Sequence, residues 1–282
     1  MNLPLRKTAA NRFYELDALR GFSVVLMVVY HFLFDLDYFN IRPMPGWMWP
    51  QQLYGFPITF LFIFIAGVSL ALSASKTKNS KMLTQKMLKR GISIFAIGLL
   101  ITAVTWIYPH DGAILFGVLH LIGMSTILAI PFLLGGTKER NAKNEKDDRE
   151  AHISEKIRKM KNPFLILIPL VFGIVVIALS KIVEKISGPI WMVPLGIHPY
   201  GFYALDYEPL FPWFGVVLIG IAVGFWIYPK GERKVSLGKS EAKGLRGISW
   251  IGRHSLEIYL VHQPIILAVL YLAEMSFIIL QI

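Results

Sequence analysis

Long apolar intervals, each closed by charged residues, set the rhythm of this chain. A bilayer core about 30 Å thick takes roughly 20 apolar residues per helical span. Residues 90–110, 111–138, 161–181 and 208–230 each enclose one such length, and 19–39, 56–75 and 255–273 supply three more. The pattern predicts an all-α, polytopic membrane helix bundle of about seven transmembrane helices, lying in the cell membrane. The first interval is long, follows several basic residues and lacks a small-residue cleavage site, so it is expected to persist as the first helix. No internal repeat of the kind that builds many transporters is visible.

Composition sharpens this reading. Of 282 residues 55% are hydrophobic and only 17% charged, too little polar surface to cover a soluble globule of this size. Cysteine is absent, which removes thiolate nucleophiles and cysteine-based metal sites. The net charge of +11 raises the question of nucleic acid, and its distribution answers it. With a cytoplasmic amino terminus, every Lys and Arg except Arg42, Lys181 and Lys185 falls on the inner side, as the positive-inside rule requires. The basic excess is therefore a topology signal, with a further capacity to attract anionic lipid head groups or an anionic cytoplasmic ligand. No nucleic-acid partner is expected.

Two loops stand out. The charged run 138–161 reads as a solvated cytoplasmic loop, and 184–212 as an outer loop rich in Pro, Gly and aromatic residues, including Trp191, His198, Tyr200, Tyr203 and Tyr207. So apolar an outer segment is expected to pack down on the bundle or lie at the interface, and it could cover a site.

Ionisable groups inside a membrane cost roughly 2.5–3.5 kcal/mol on insertion scales, so each one in a span is a functional hypothesis. In the first helix Asp17 and Arg20 lie at the inner end, read as an N-cap and a snorkelling anchor, while His31 and Asp35 share one face. At 1.5 Å per residue His31 lies about 21 Å beyond Asp17, in the outer third of the core. Entering the fourth helix from outside, His120 comes at a comparable depth, so the two imidazoles could share a cavity. His262, early in the last span, counts as nearer the cytoplasmic half. A carboxylate such as Asp35 can orient an imidazole and raise its basicity, which is what a general base needs. A lone intramembrane His is equally readable as a hydrogen-bonded helix contact. No spacing matches a metal motif, and no metal is expected. On the inner side Lys86 and Arg90 stand four residues apart, suited to grip phosphates or merely to anchor the topology.

Several stretches then resemble a known family. E-L-D-A-L-R-G-F-S-V-V-L-M-V-V-Y-H-F-L-F-D-L over 15–36 looks like the first helix of the heparan-α-glucosaminide N-acetyltransferase catalytic-domain family in its short prokaryotic form. Similar in turn are F-I-F-I-A-G-V-S-L-A-L-S at 62–73, L-K-R-G at 88–91, F-G-V-L-H-L-I-G at 116–123 and G-R-H-S-L-E-I-Y-L-V-H-Q-P at 252–264. The last of these, and the spacing of Arg20, Gly21 and His31, are also similar to the type 3 membrane acyltransferases.

The resemblance implies a single transmembrane acyltransferase-like domain over 1–282. It implies transfer of an acyl group, usually acetyl, from cytoplasmic acyl-CoA to a hydroxyl or amine of an extracytoplasmic glycan or lipid-linked sugar. His31 is the catalytic base that the type 3 relatives imply; read from the residues themselves, Asp35 would orient it and His120 or a backbone amide would stabilise the oxyanion. Lys86 and Arg90 are implied ligands of the CoA phosphates, with Arg20 a further candidate. One departure bears on the acceptor: in the heparan branch the catalytic His lies in an H-x-x-W-N-G motif of the first outer loop. The aligned residues here, Gly46-Trp47-Met48-Trp49-Pro50-Gln51, contain none. A homo-oligomer is compatible with the sequence. A proton-coupled transporter and a non-catalytic membrane scaffold remain the alternatives at this stage.

Overall fold

The structure, a computed structural model, describes residues 13–43, 55–108, 112–137, 148–232 and 246–280. Nine α-helices account for most of these residues: α1 Tyr14–Tyr38, α2 Phe56–Ser75, α3 Ser80–Ile107, α4 Val118–Leu128, α5 Ile130–Leu133, α6 Asp148–Val183, α7 Leu210–Ile227, α8 Arg246–Arg253 and α9 Ser255–Leu280. Among the described residues the only extended pairing is two isolated bridges. Six helices are long and apolar enough to cross a membrane, and a seventh span arises if α4 and the segment Ile130–Gly136, bent by 55°, are one broken crossing. The bend falls before Pro131, which has no N–H to bond the carbonyl of Ile127 one turn back. The helices leave large apolar side chains exposed, among them Ile92, Leu99, Leu100 and Val104 on α3 and Ile168, Phe172 and Val175 on α6. Surfaces of that kind belong against lipid.

The chain divides into two compact units. The first comprises residues 1–62 and 236–282, and its described helices are α1, the start of α2, α8 and α9. Here α1 and α8 touch backbone to backbone. A Cβ on Gly21 would collide with the carbonyl of Ile248, and one on Gly252 with the carbonyl of Asp17, so only glycine permits the approach. Ser249 Oγ adds a bond to the carbonyl of Tyr14 at 3.0 Å. Only His254 separates α8 from α9, and its N–H still bonds back to the carbonyl of Ile251 at 3.0 Å. The two helices thus follow each other with a single residue between them.

The second unit, residues 63–235, buries Ile63, Leu83, Met87, Leu121, Leu218 and Ile221 almost completely. Small residues again set the packing: Gly67 and Gly220 bring α2 against α7, and Gly173 and Gly215 bring α6 against α7. The segment 184–212 packs against the helices of this unit. Val193 is buried, and Tyr207 Oη donates to its carbonyl at 2.8 Å. Burial pushes the Tyr207 phenol up to about 12, so it stays a donor at ordinary pH. Leu205 and Glu208 donate backbone bonds to Gly112 and Phe116, tying the segment to the entry of α4.

Three boundaries differ from the sequence reading. Helix α3 starts at Ser80, ten residues before the apolar interval that opens at residue 90, because Asn79 caps it by accepting from the Met82 N–H at 2.8 Å. The charged run expected as a solvated loop is helical from Asp148 onward and continues into the apolar part of α6. Asp17 is not the N-cap of α1: Phe13 occupies that position, and Asp17 sits in the first turn, 3.2 Å from Arg20 Nη1.

Candidate functional site

In the first unit α1 and α9 bring four polar side chains together. His31 and His262 stand edge to face, their ring centroids 4.8 Å apart and their planes at 77°. Farther along α1, Asp35 is 2% exposed and accepts from the Gln263 amide at 2.9 Å on each carboxylate oxygen. The register explains the meeting. From the contact of Gly21 with Gly252, both His31 and His262 lie ten residues onward, about 15 Å along roughly parallel helices. His262 is therefore level with His31 and not nearer the inner end, because α8 adds helical residues before Ser255. Counted from Ser255, where the apolar interval opens, His262 comes out too close to the inner end, and Gln263 carries no charge to mark it. The equal spacing to the two glycines was the signal available.

The tautomer of each imidazole follows from its partner. His31 Nδ1 lies 2.9 Å from the carbonyl of Met27, one turn back; a carbonyl only accepts, so Nδ1 carries the hydrogen and Nε2 the lone pair. Asp35 does not orient His31, contrary to expectation. Nδ1 is taken by the backbone carbonyl of its own helix, and the carboxylate accepts from Gln263 on α9. His31 thus presents a basic nitrogen that can take a proton.

His120 is built the opposite way. In the second unit its Nδ1 accepts from the Gly117 N–H at 3.2 Å, so Nε2 carries the hydrogen and points at Thr102 Oγ1, 3.3 Å away. That hydroxyl in turn donates to the carbonyl of Ile114 at 2.5 Å. The ring stacks on Phe116, meets the edge of Phe95, and lies against Gly98, where no side chain intrudes. With 1% exposure and both nitrogens engaged, His120 fastens the start of α4 to α3. It belongs to a different unit from His31.

The basic candidates lie toward the other ends of their helices. Lys86 and Arg90 are one turn apart inside α3, and Lys86 Nζ donates to Ser73 Oγ at 2.7 Å. A helix of 28 residues spans about 42 Å, more than the bilayer core. Arg20 bonds Asp17 and reaches the carbonyl of Gly252 at 3.5 Å, which ties it to the α1–α8 contact. Among the described residues no three His, Asp or Glu side chains gather as a metal would require. The outer-loop stretch 46–51 lies outside the described residues.

A family model described as "Heparan-alpha-glucosaminide N-acetyltransferase, catalytic" matches residues 12–139 and 156–264, most of the chain. No curated protein and no solved structure matches it significantly.

Proposed function

The chain belongs to the heparan-α-glucosaminide N-acetyltransferase catalytic family, a family of membrane acetyltransferases, and from that premise we propose a donor, an acceptor class and a base for its reaction. The donor is cytoplasmic acetyl-CoA. Its phosphates meet Lys86 and Arg90 at the inner end of α3, Arg by a two-pronged fork and Lys as a point charge. The acceptor is a hydroxyl or amine of an extracytoplasmic glycan or lipid-linked sugar.

The observation that supports this most is the tautomer of His31. Held by Met27 through Nδ1, the ring offers Nε2 to the acceptor proton. As that proton moves to Nε2, the acceptor oxygen or nitrogen bonds to the acetyl carbon, the C–S bond breaks, and the CoA thiolate then takes the proton from His31. No covalent acyl-enzyme is needed. Asp35 and Gln263 hold α1 and α9 in register, and His120 secures α4 instead of serving the oxyanion. Arg20, engaged by Asp17, contributes to the helix contact more than to CoA.

The test uses purified protein in proteoliposomes with acetyl-CoA outside and a panel of hexoses and hexosamines inside, read as release of free CoA thiol. Acceptor-dependent release that vanishes in His31→Ala supports the reading. Accumulation of acceptor or proton flux with no thiol release indicates a transporter and overturns it.

A further inference from the structure

His262 is 7% exposed, and its Nδ1–H donates to the carbonyl of Tyr259 at 2.7 Å, which leaves the lone pair on Nε2. That nitrogen is buried and has no hydrogen-bond partner. A polar atom left so in an apolar interior asks for an explanation in function. Across from it stands His31, fixed as the same tautomer, so the two rings hold two Nε2 lone pairs and no Nε2 hydrogen between them. The pair lacks one proton to make a hydrogen bond.

We propose that the acceptor's proton completes this pair: His262 is a positioning residue whose Nε2 receives the hydrogen bond from the Nε2–H of protonated His31. The inference rests on the acetyl-transfer reading and deepens it. In the resting site both nitrogens accept only. When the acceptor's O–H or N–H bond breaks and its proton reaches His31, that ring becomes a donor at Nε2, and a ring whose centroid lies 4.8 Å away is close enough to accept from it once the two turn toward each other. The cation is then held by His262 until the CoA thiolate, formed as the C–S bond breaks, takes the proton and resets the pair. Nothing is oxidised or reduced.

The surroundings suit this role. The clasp of Gln263 on Asp35 fixes the rotation of α9 one residue from His262. Of the other titratable side chains on these helices, two have rings that meet the pair: Tyr30, 5.2 Å from His31, and Tyr259, 5.6 Å from His262; Tyr14 and Tyr38 stand at the two ends of α1, and Glu274 lies twelve residues beyond His262 in sequence. Asp35 is held by Gln263; Asp37 follows at the end of α1, and Tyr271 lies two turns beyond His262. Glu15, Asp17, Arg20, Arg246, Arg253, His254 and Glu257 belong to the opposite ends of α1, α8 and α9.

Two measurements decide it. In ¹⁵N-histidine NMR of the purified wild type in micelles, the His31 and His262 signals should change together over one pH interval, taking up one proton between them. Independent titration of each ring, or a silent His262, overturns the pairing whether or not acetyl transfer is found. In the thiol-release assay, His262→Leu should lower kcat on the order of 100-fold with KM for acetyl-CoA within about twofold, the scale of a lost proton-transfer partner. His262→Gln, whose Oε1 can still accept, should recover about tenfold of that loss. Wild-type kcat in the Leu variant, or equal loss in both, contradicts the proposal. If the Leu variant does not fold, His262→Gln against wild type and the NMR result still decide. A wild type that releases no thiol defeats the acetyl-transfer reading, and the NMR result alone then rules on the pair.

Discussion

The same side chain does two jobs in this protein, and hydrogen-bond partners separate them. His31 gives its Nδ1 hydrogen to a carbonyl of its own helix and keeps a basic nitrogen, whereas His120 has both nitrogens engaged by Gly117 and Thr102. Replacing His120 by Leu should therefore act on stability before chemistry. The lost cap costs about 0.5–2 kcal/mol, and the bond to Thr102 adds about 0.6 kcal/mol, the mean for interhelical bonds in a membrane. The expected outcome is a lower melting temperature in detergent with acetyl-CoA affinity preserved. A variant that melts like wild type but has lost turnover would instead give His120 a part in the reaction. None of this was legible in the sequence, where His31 and His120 differ only in having Asp35 nearby. The carboxylate proved to serve Gln263, two hundred residues distant, a pairing that only the register of two helices defines.

At the scale of elements, apolar length located the spans well and their ends poorly. The six clear helices and the bent pair Val118–Leu128 and Ile130–Gly136 fall on the hydrophobic intervals, because lipid leaves the backbone no other way to satisfy its polar groups. Ends depend on caps and charged turns that hydropathy ignores. Asn79 starts α3 ten residues early, and α8 runs below the last apolar interval. Both corrections matter for function. The first sets Lys86 and Arg90 one turn apart on formed helix, with Lys86 already held by Ser73, and the second lifts His262 level with His31. A Lys86→Ala, Arg90→Ala double variant should weaken acetyl-CoA binding by a few kcal/mol, since hydrogen bonds to charged groups contribute about 1.5–3 kcal/mol each. Calorimetry at rising salt should show wild-type affinity falling toward that of the variant. Equal affinity for both proteins would assign the pair to topology alone.

For the whole molecule, the division of basic residues between the loops orients the chain, and the orientation decides which face would meet the proposed CoA donor. A reporter fused after Lys146 should behave as cytoplasmic and one after Tyr200 as external, and reversal at either position would contradict the placement of the donor. The family match fixes a membrane acetyltransferase; the reaction we propose for it uses a base that accepts a proton and not a nucleophile that holds an acyl group. No cysteine is available, and an acyl-imidazole on His31 would be labile. The most direct measurement is to mix purified protein with radiolabelled acetyl-CoA, first alone and then with acceptor. The account predicts no label on the protein, label in the acceptor once it is added, and none in either place for His31→Ala. Stoichiometric label on the protein without acceptor, chased off when acceptor is added and absent in His31→Ala, would contradict it.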